Sequence, residues 1–159
     1  MPNDTTFSVN ELVRGIGELL ARIWPGYMCF LDACPEPSGD RSIDRAPFYV
    51  VYANSGAYGP NDGQSRQSAS SCAIDVILQI RTAETEGTDA AWAVRTLRDR
   101  VDEFGRALYL PANGIICGAR PGALSWEIPA EQPRPVWQAR ISVQFEILSA
   151  ARDNGGFLI

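Results

Sequence analysis

The sequence predicts a two-layer α+β domain, with two amphipathic helices packed on one face of a mostly antiparallel or mixed β-sheet. Three observations carry this. Residues 137–147 alternate strictly, with Trp137, Ala139, Ile141, Val143, Phe145 and Ile147 on one parity and Gln138, Arg140, Ser142, Gln144 and Glu146 on the other. Period two means a strand with one buried and one wet face, and eleven residues at about 3.3 Å each reach ~36 Å. Residues 71–81 alternate in the same way. Two further stretches, 9–23 and 88–104, repeat apolar residues at helical spacing.

Taken in order, residues 1–8 are a polar N-terminal tail. Ser8 and Glu11 make a capping-box pattern, and Val9, Leu12, Val13, Ile16, Leu19, Leu20 and Ile23 give the first helix one broad apolar face. Trp24-Pro25-Gly26 stops it. Residues 27–33 form a short apolar strand, 34–46 a charged, proline-containing loop, and 47–54 a strand rich in aromatic and β-branched residues. Residues 55–70 have no periodicity and almost no apolar content beyond Tyr58. A loop of that length inside a compact domain is functional or disordered. With the strands 47–54 and 71–81 it makes a long antiparallel hairpin with an extended tip, which is either an interface or a solvent loop.

In the 71–81 strand Cys72, Ile74, Val76, Leu78 and Ile80 share one face and Asp75, Gln79 and Arg81 the other, so Asp75 reads as a surface carboxylate. A charged turn, 82–87, leads to the second helix. Thr88 and Asp89 start it. Ala90, Val94, Leu97, Val101 and Phe104 line its inner side, Arg95/Asp99 and Arg98/Asp102 are i,i+4 pairs outside, and Gly105 reads as its C-terminal cap. Residues 108–111 read as a strand or turn. Residues 114–118 and 123–128 are short strands, and the prolines between 129 and 135 make a stiff connection into the closing strand. Residues 149–159 are a polar C-terminal tail with an apolar Phe-Leu-Ile ending. The element order is α-β-β-β-α-β-β-β, without internal repeat or domain linker, so 1–159 reads as a single domain.

At 159 residues, 45% hydrophobic and 21% charged, the chain is ordinary for a globular protein. The net charge of −5 argues against a binder that works by neutralising phosphates. All 14 basic residues are arginine. Four cysteines, at 29, 34, 72 and 117, have no CxxC spacing. Cys29, Cys72 and Cys117 sit in apolar runs, where a free thiol behaves as a small buried hydrophobe. The opening residues lack the apolar core of a secretory signal, and no apolar run approaches the ~20 residues that span a bilayer. The expectation is a cytoplasmic chain with reduced thiols and no membrane contact.

The residue inventory removes most catalytic chemistry. Without histidine there is no Ser-His-Asp or Cys-His arrangement and no histidine metal site. Without lysine there is no Walker loop, Schiff base or lysine base. Gly15-Ile-Gly17 lies mid-helix and follows no strand, so it reads as close helix–sheet packing, not a dinucleotide fingerprint. Asp99, Asp102 and Glu103 alternate with arginine on a solvated helix face, and Asn61-Asp62-Gly63 is a turn without the rest of a calcium loop. No catalytic, cofactor or metal residue is assigned, and the chain reads as a non-enzyme. What remains is surface. Trp126 and Trp137 flank the proline-rich link, with Arg120 and Arg134 near, and aromatics and arginine are enriched at interface hot spots. Trp137 continues the buried parity and reads as core; Trp126 fits either core or interface.

The leading helix 9–23, the strand entering as Pro-Phe-Tyr-Val-Val, the polar loop, the strand 72–80, the Ala-rich helix 89–104 and the closing Gln-Ala-Arg-Ile-Ser-Val-Gln-Phe-Glu-Ile together resemble the tail terminator (tail completion) proteins of long-tailed bacteriophages. The resemblance covers roughly residues 9–148 and is one of order, length and texture; the family has no catalytic motif. The stretches 55–70 and 111–135 are longer than a minimal version needs. The resemblance implies a homohexameric ring on the head-proximal end of the tail tube. Such a ring stops tube polymerisation, meets the tail tube protein and the head connector or stopper, and lets DNA pass through its lumen. It also implies location in the virion neck after assembly in the host cytoplasm. A ring needs two unlike complementary patches. The 55–70 tip and the 119–135 segment are the expected sources, with Tyr58, Arg66, Arg120, Trp126 and Arg134 as interface residues. The wet parity of 137–147 is expected to line the ring or a neighbouring subunit. The alternatives are another neck or head-completion protein and, from a different class, a small-ligand-binding α+β domain.

Overall fold

The computed structural model describes residues 8–32, 47–60, 67–81, 88–109, 115–129 and 136–148. Seven elements follow one another: α1 (Val9–Ile23), β1 (Met28–Leu31), β2 (Phe48–Pro60), β3 (Gln67–Arg81), α2 (Thr88–Tyr109), β4 (Ala119–Glu127) and β5 (Val136–Ile147). The strands form one mixed sheet in the order β1-β2-β3-β5-β4. β1 runs parallel to β2, and the other neighbours are antiparallel. The closing strand is thus internal, with β3 on one side and β4 on the other. With the two helices, this is the two-layer α+β architecture that the periodicities predict.

The register explains why alternation is clearest in β3 and β5. Ile74 stands opposite Val143, Val76 opposite Ile141, Leu78 opposite Ala139 and Ile80 opposite Trp137. Directly opposed residues share a face, so the two apolar parities merge into one floor. Tyr49 and Val51 of β2 extend it, and Leu12, Ile16 and Leu20 of α1 with Leu97, Val101, Phe104 and Leu108 of α2 close over it. Trp137 is core, as its parity predicts.

α1 begins as its capping residue dictates: the Ser8 hydroxyl accepts from the Glu11 amide at 3.3 Å. It ends at Trp24, whose amide bonds to the Leu20 carbonyl at 2.7 Å. The two glycines have the packing role read from the sequence. A Cβ at Gly15 would lie 2.8 Å from Cys117 Sγ, and one at Gly17 would lie 2.8 Å from Leu31 Cδ2.

Trp24 does more than end the helix. Its ring is buried and meets Tyr49 edge-on at 5.2 Å and Phe104 at 6.3 Å. Its indole N–H donates to Glu103 Oε1 at 3.0 Å, and the same carboxylate pairs with Arg100. One side chain therefore joins α1, α2 and β2.

Several sequence expectations are corrected. α2 does not end at Gly105 but continues to Tyr109, because Leu108 extends the buried stripe one turn further. Burying a leucine contributes about 1.5–3 kcal/mol, which exceeds the roughly 1 kcal/mol that an interior glycine costs. Residues 108–109 are accordingly helix, not strand. Of the segment 114–118, the described residues 115–118 are not a strand. Ile116 and Ala119 form an isolated bridge around Cys117 (φ 50) and Gly118 (φ 83), a two-residue turn with both central residues left-handed. This turn leads directly into β4, which starts at Ala119. Cys29 and Cys117 are exposed, not buried; Cys72 is buried. Asp75 is buried, with 5% of its surface exposed, because β3 is the central strand and has a neighbour on each side. The Tyr52 hydroxyl, directly across the ladder, donates to Asp75 Oδ2 at 3.3 Å.

The 55–70 stretch is only partly loop. β2 runs on to Pro60 and β3 starts at Gln67, with Tyr58 opposite Ala69 and Gly59 opposite Ser68. β5 meets β3 only from Ser71 onward. The four residues of β3 before Ser71 therefore extend with β2 alone, as a two-stranded ribbon ~13 Å beyond the sheet. The central tip, 61–66, lies outside the described residues, as do the 34–46 loop and the tails.

Two substitutions check this core. Trp24→Phe removes one hydrogen bond to a carboxylate and should cost about 1.5–3 kcal/mol in urea unfolding; an unchanged midpoint would show that the Glu103 contact contributes nothing. Tyr49 is fully buried, and its hydroxyl has no oxygen or nitrogen partner. Burial, and then the neighbouring Cys29 thiol, push this phenol well above its ordinary range. A raised folded-state value gives stability that is complete below the unfolded pKa near 10 and is lost as pH rises above it. Tyr49→Phe should be neutral or mildly stabilising at pH 7 and should flatten the alkaline loss seen in thermal unfolding.

Candidate interface

Three surfaces stand out. The first is the ribbon. At its base Ser55, Gly56 and Ala57 are exposed, and the pairing slips between Ala53 and Ser55 and again between Ala57 and Tyr58, where the ribbon begins. Such bulges twist a ribbon and turn it away from the plane of its sheet.

The second is a groove of about 430 Å³ between α2 and the edge strand β4. Its floor is Val101 and Leu124; Asp102, Arg106, Tyr109 and Trp126 surround it, and Gly105 and Gly122 leave room for it. The sequence makes the groove through an irregularity in β4, where the register shifts between Pro121 and Leu124. A Cβ at Gly122 would lie 3.2 Å from the Gln144 carbonyl oxygen. The Tyr109 hydroxyl spans the groove and donates to the Gly122 carbonyl. Partial burial raises the Tyr109 pKa, so the phenol stays a donor at neutral pH. Trp126 lies opposite Ile141, which places it on the helix side of the sheet, yet at the open side of the groove it is 49% exposed. Tyr109 is 45% exposed.

The third surface is the helix-free face of the sheet. Arg140, Gln144 and Glu146 are exposed, while Gln138 and Ser142 are half-buried. Gln79 donates to Gln138 at 2.9 Å across the β3–β5 ladder. Arg120 stands opposite Glu146 and pairs with it at 3.5 Å. Burial and the Asp75 carboxylate raise the Tyr52 pKa. At the β1–β2 end the face turns apolar, with Phe30 and Phe48 edge-to-face at 5.7 Å.

The predicted interface residues therefore divide. Tyr58 lies within the ribbon. Arg120 and Trp126 leave β4 on opposite faces, so they do not form one patch. Arg66 and Arg134 lie outside the described residues. Sequence reading missed Tyr109, because it placed residue 109 beyond the helix, and Arg106, which lies one turn before it. Both follow once the Phe104–Leu108 spacing is read as helix continuing through glycine. The i,i+4 pairs expected on α2 do not close; among the described residues, the ion pair of this helix is Arg100 with Glu103.

The arrangement has little to offer for covalent chemistry. Burial holds the Cys72 thiol protonated; at the exposed Cys117, partial burial of the thiol and then Glu11 do the same, and the Cys117 thiol donates to the Glu11 carbonyl at 3.4 Å. Among the described residues no three His, Cys, Asp or Glu side chains gather to hold a metal ion, and no helix is long and apolar enough to cross a membrane. What the groove can do is receive a side chain: it offers an apolar floor, two aromatic walls and one charge of each sign at the rim. No protein-family model matches this chain, and no curated protein matches it either.

Two variants test the groove as surface, not core. Trp126→Ala should cost about 1–2.5 kcal/mol, below the loss of a core tryptophan, since half the side chain already meets water. Tyr109→Phe should cost about 0.5–1.5 kcal/mol for one hydrogen bond. Chemical denaturation reads both; a loss above ~3 kcal/mol for Trp126→Ala would assign it to the core instead.

Proposed function

We propose that this chain is a structural, non-enzymatic virion protein that caps the head-proximal end of a phage tail tube as a hexameric ring. In this reading it stops tube polymerisation and joins the tail to the head connector or stopper. It acts in the neck of the virion, after assembly in the host cytoplasm.

The observation that carries the reading is the β2–β3 ribbon. A strand pair that leaves its sheet has unpaired neighbours on both sides and little apolar surface to bury by itself. It gains by lying against another subunit. A closed ring needs heterologous contact between two unlike patches. The ribbon is one; the α2–β4 side of the sheet, two strands away from β3, is the other. The net charge of −5 suits a lumen through which DNA passes without adhering. The mixed polar face of β5 suits the lumen wall or a wet subunit contact. No cofactor enters the reading; the partners are the chain itself, the tail tube protein and the connector.

The test is direct. Purified protein added to tail tubes should form a sixfold ring at one end, visible by electron microscopy, and should halt tube growth. Deleting residues 57–68 should abolish both effects while leaving the sheet folded. Tubes capped equally well by the deletion variant would sink the proposal. A ring that bound the connector but ignored tubes would favour a different neck protein.

A further inference from the structure

The outer edge of β4 is open over only part of its length. The Ala119 amide and carbonyl both bond to Ile116, so they face away from β5. Pro121, Leu124 and Trp126 follow Ala119 opposite every second residue of β5. Backbone groups alternate along an antiparallel pair, so theirs face the same way. Proline has no N–H to offer, and Tyr109 takes the Gly122 carbonyl. What remains for a further strand is the amide and carbonyl of Leu124 and of Trp126. Among the described residues no strand lies beyond them.

These groups run beside the α2–β4 groove, with its apolar floor and its walls of Tyr109 and Trp126. A strand edge next to an apolar pocket is what a short extended segment recognises: backbone hydrogen bonds hold it, and alternate side chains fill the pocket. The chain carries such a segment within reach. β5 ends at Ile147, opposite Ala119, and the Leu148 amide donates to the Gly118 carbonyl at 2.8 Å. The chain therefore leaves the sheet beside the start of β4. From Ala119 to Leu124 is at most ~17 Å of strand. Phe157 is nine residues on from Leu148, a reach of ~30 Å, which allows a turn and a return along the edge. Phe157-Leu158-Ile159 is the one run of large apolar residues after Leu148, and Gly155 and Gly156 ahead of it have no side chains to meet the aromatic walls.

We infer that residues 157–159 add to the Leu124–Trp126 edge of their own chain, and that this holds a lone subunit out of assembly until a neighbour's ribbon displaces them. Side chains alternate along an extended segment, so Phe157 and Ile159 enter the groove and Leu158 faces the other way. A tether makes the capture intramolecular, so three residues suffice although the contact is small. A small contact is also one that a larger surface can displace. The hold on assembly rests on the ring reading, which gives the α2–β4 side to the ribbon of a neighbour. The docking itself does not.

The test compares the full chain with one lacking residues 155–159. In amide NMR spectra the deletion should move the Leu124 and Trp126 amide signals and the Trp126 indole signal, which Trp126→Phe identifies. Hydrogen exchange at those two amides should quicken at least about tenfold. Phe157→Asp should do the same with no residue removed, while unmoved signals from β3 verify that the sheet is intact. Leu124 and Trp126 signals that stay in place in both variants overturn the inference. So does a contact that fades on dilution, since the occupant is then a segment of a second copy. In the tail-tube assay the deletion variant should cap tubes at a concentration about fivefold lower than the full chain. Equal capping by the two overturns the hold on assembly. If neither caps tubes while the NMR differences persist, the ring reading fails and the docked segment stands.

Discussion

The buried Trp24 indole holds both helices and the sheet to one geometry. It sits where α1 stops, so its position fixes the end of that helix. Its ring lies against Tyr49 of β2 and Phe104 of α2, and its single donor is taken by Glu103. Burying an indole is favourable only if its N–H finds a partner, and a partner on α2 fixes how that helix lies over the sheet. α2 in turn packs over β3, β5 and β4. Tyr109 bridges from it to Gly122 of the edge strand, and the space beside that glycine stays open.

The sheet distributes its surfaces by register. Because β5 lies inside, its apolar parity is buried by the helices while its polar parity forms the middle of the opposite face. β4, at the edge, has neither side fully covered. A shift of one residue in its pairing sends Arg120 to one face and Trp126 to the other. Two residues close in sequence therefore face opposite sides of the sheet.

Much of the fold was legible because burial imposes period. β3, β5 and α1 have one face against a single core, and their apolar residues repeat accordingly. The strand leading into the ribbon was not legible: Ser55, Gly56 and Ala57 have no buried face, so pairing leaves no periodic trace in them. Asp75 was misread because alternation reports which face a residue is on, not whether water reaches that face. The end of α2 was misread because a glycine was weighed without the leucine three residues beyond it. The site was less legible still. Its groove depends on a bulge at Gly122–Ala123 and on where α2, tied to the tryptophan that caps α1, lies over the sheet, and neither is a property of any local stretch.

The internal position of β5 has a consequence for how the molecule comes into being. β5 follows every other strand of the sheet in the chain, yet it covers the inner edge of β3 and receives β4. During translation, β3 is made well before its partner. At roughly 5–20 residues per second, several seconds separate the two. Through that interval the long apolar strand has a bare edge and the ribbon has no platform from which to project. Any surface built on the finished sheet is therefore silent on a nascent chain.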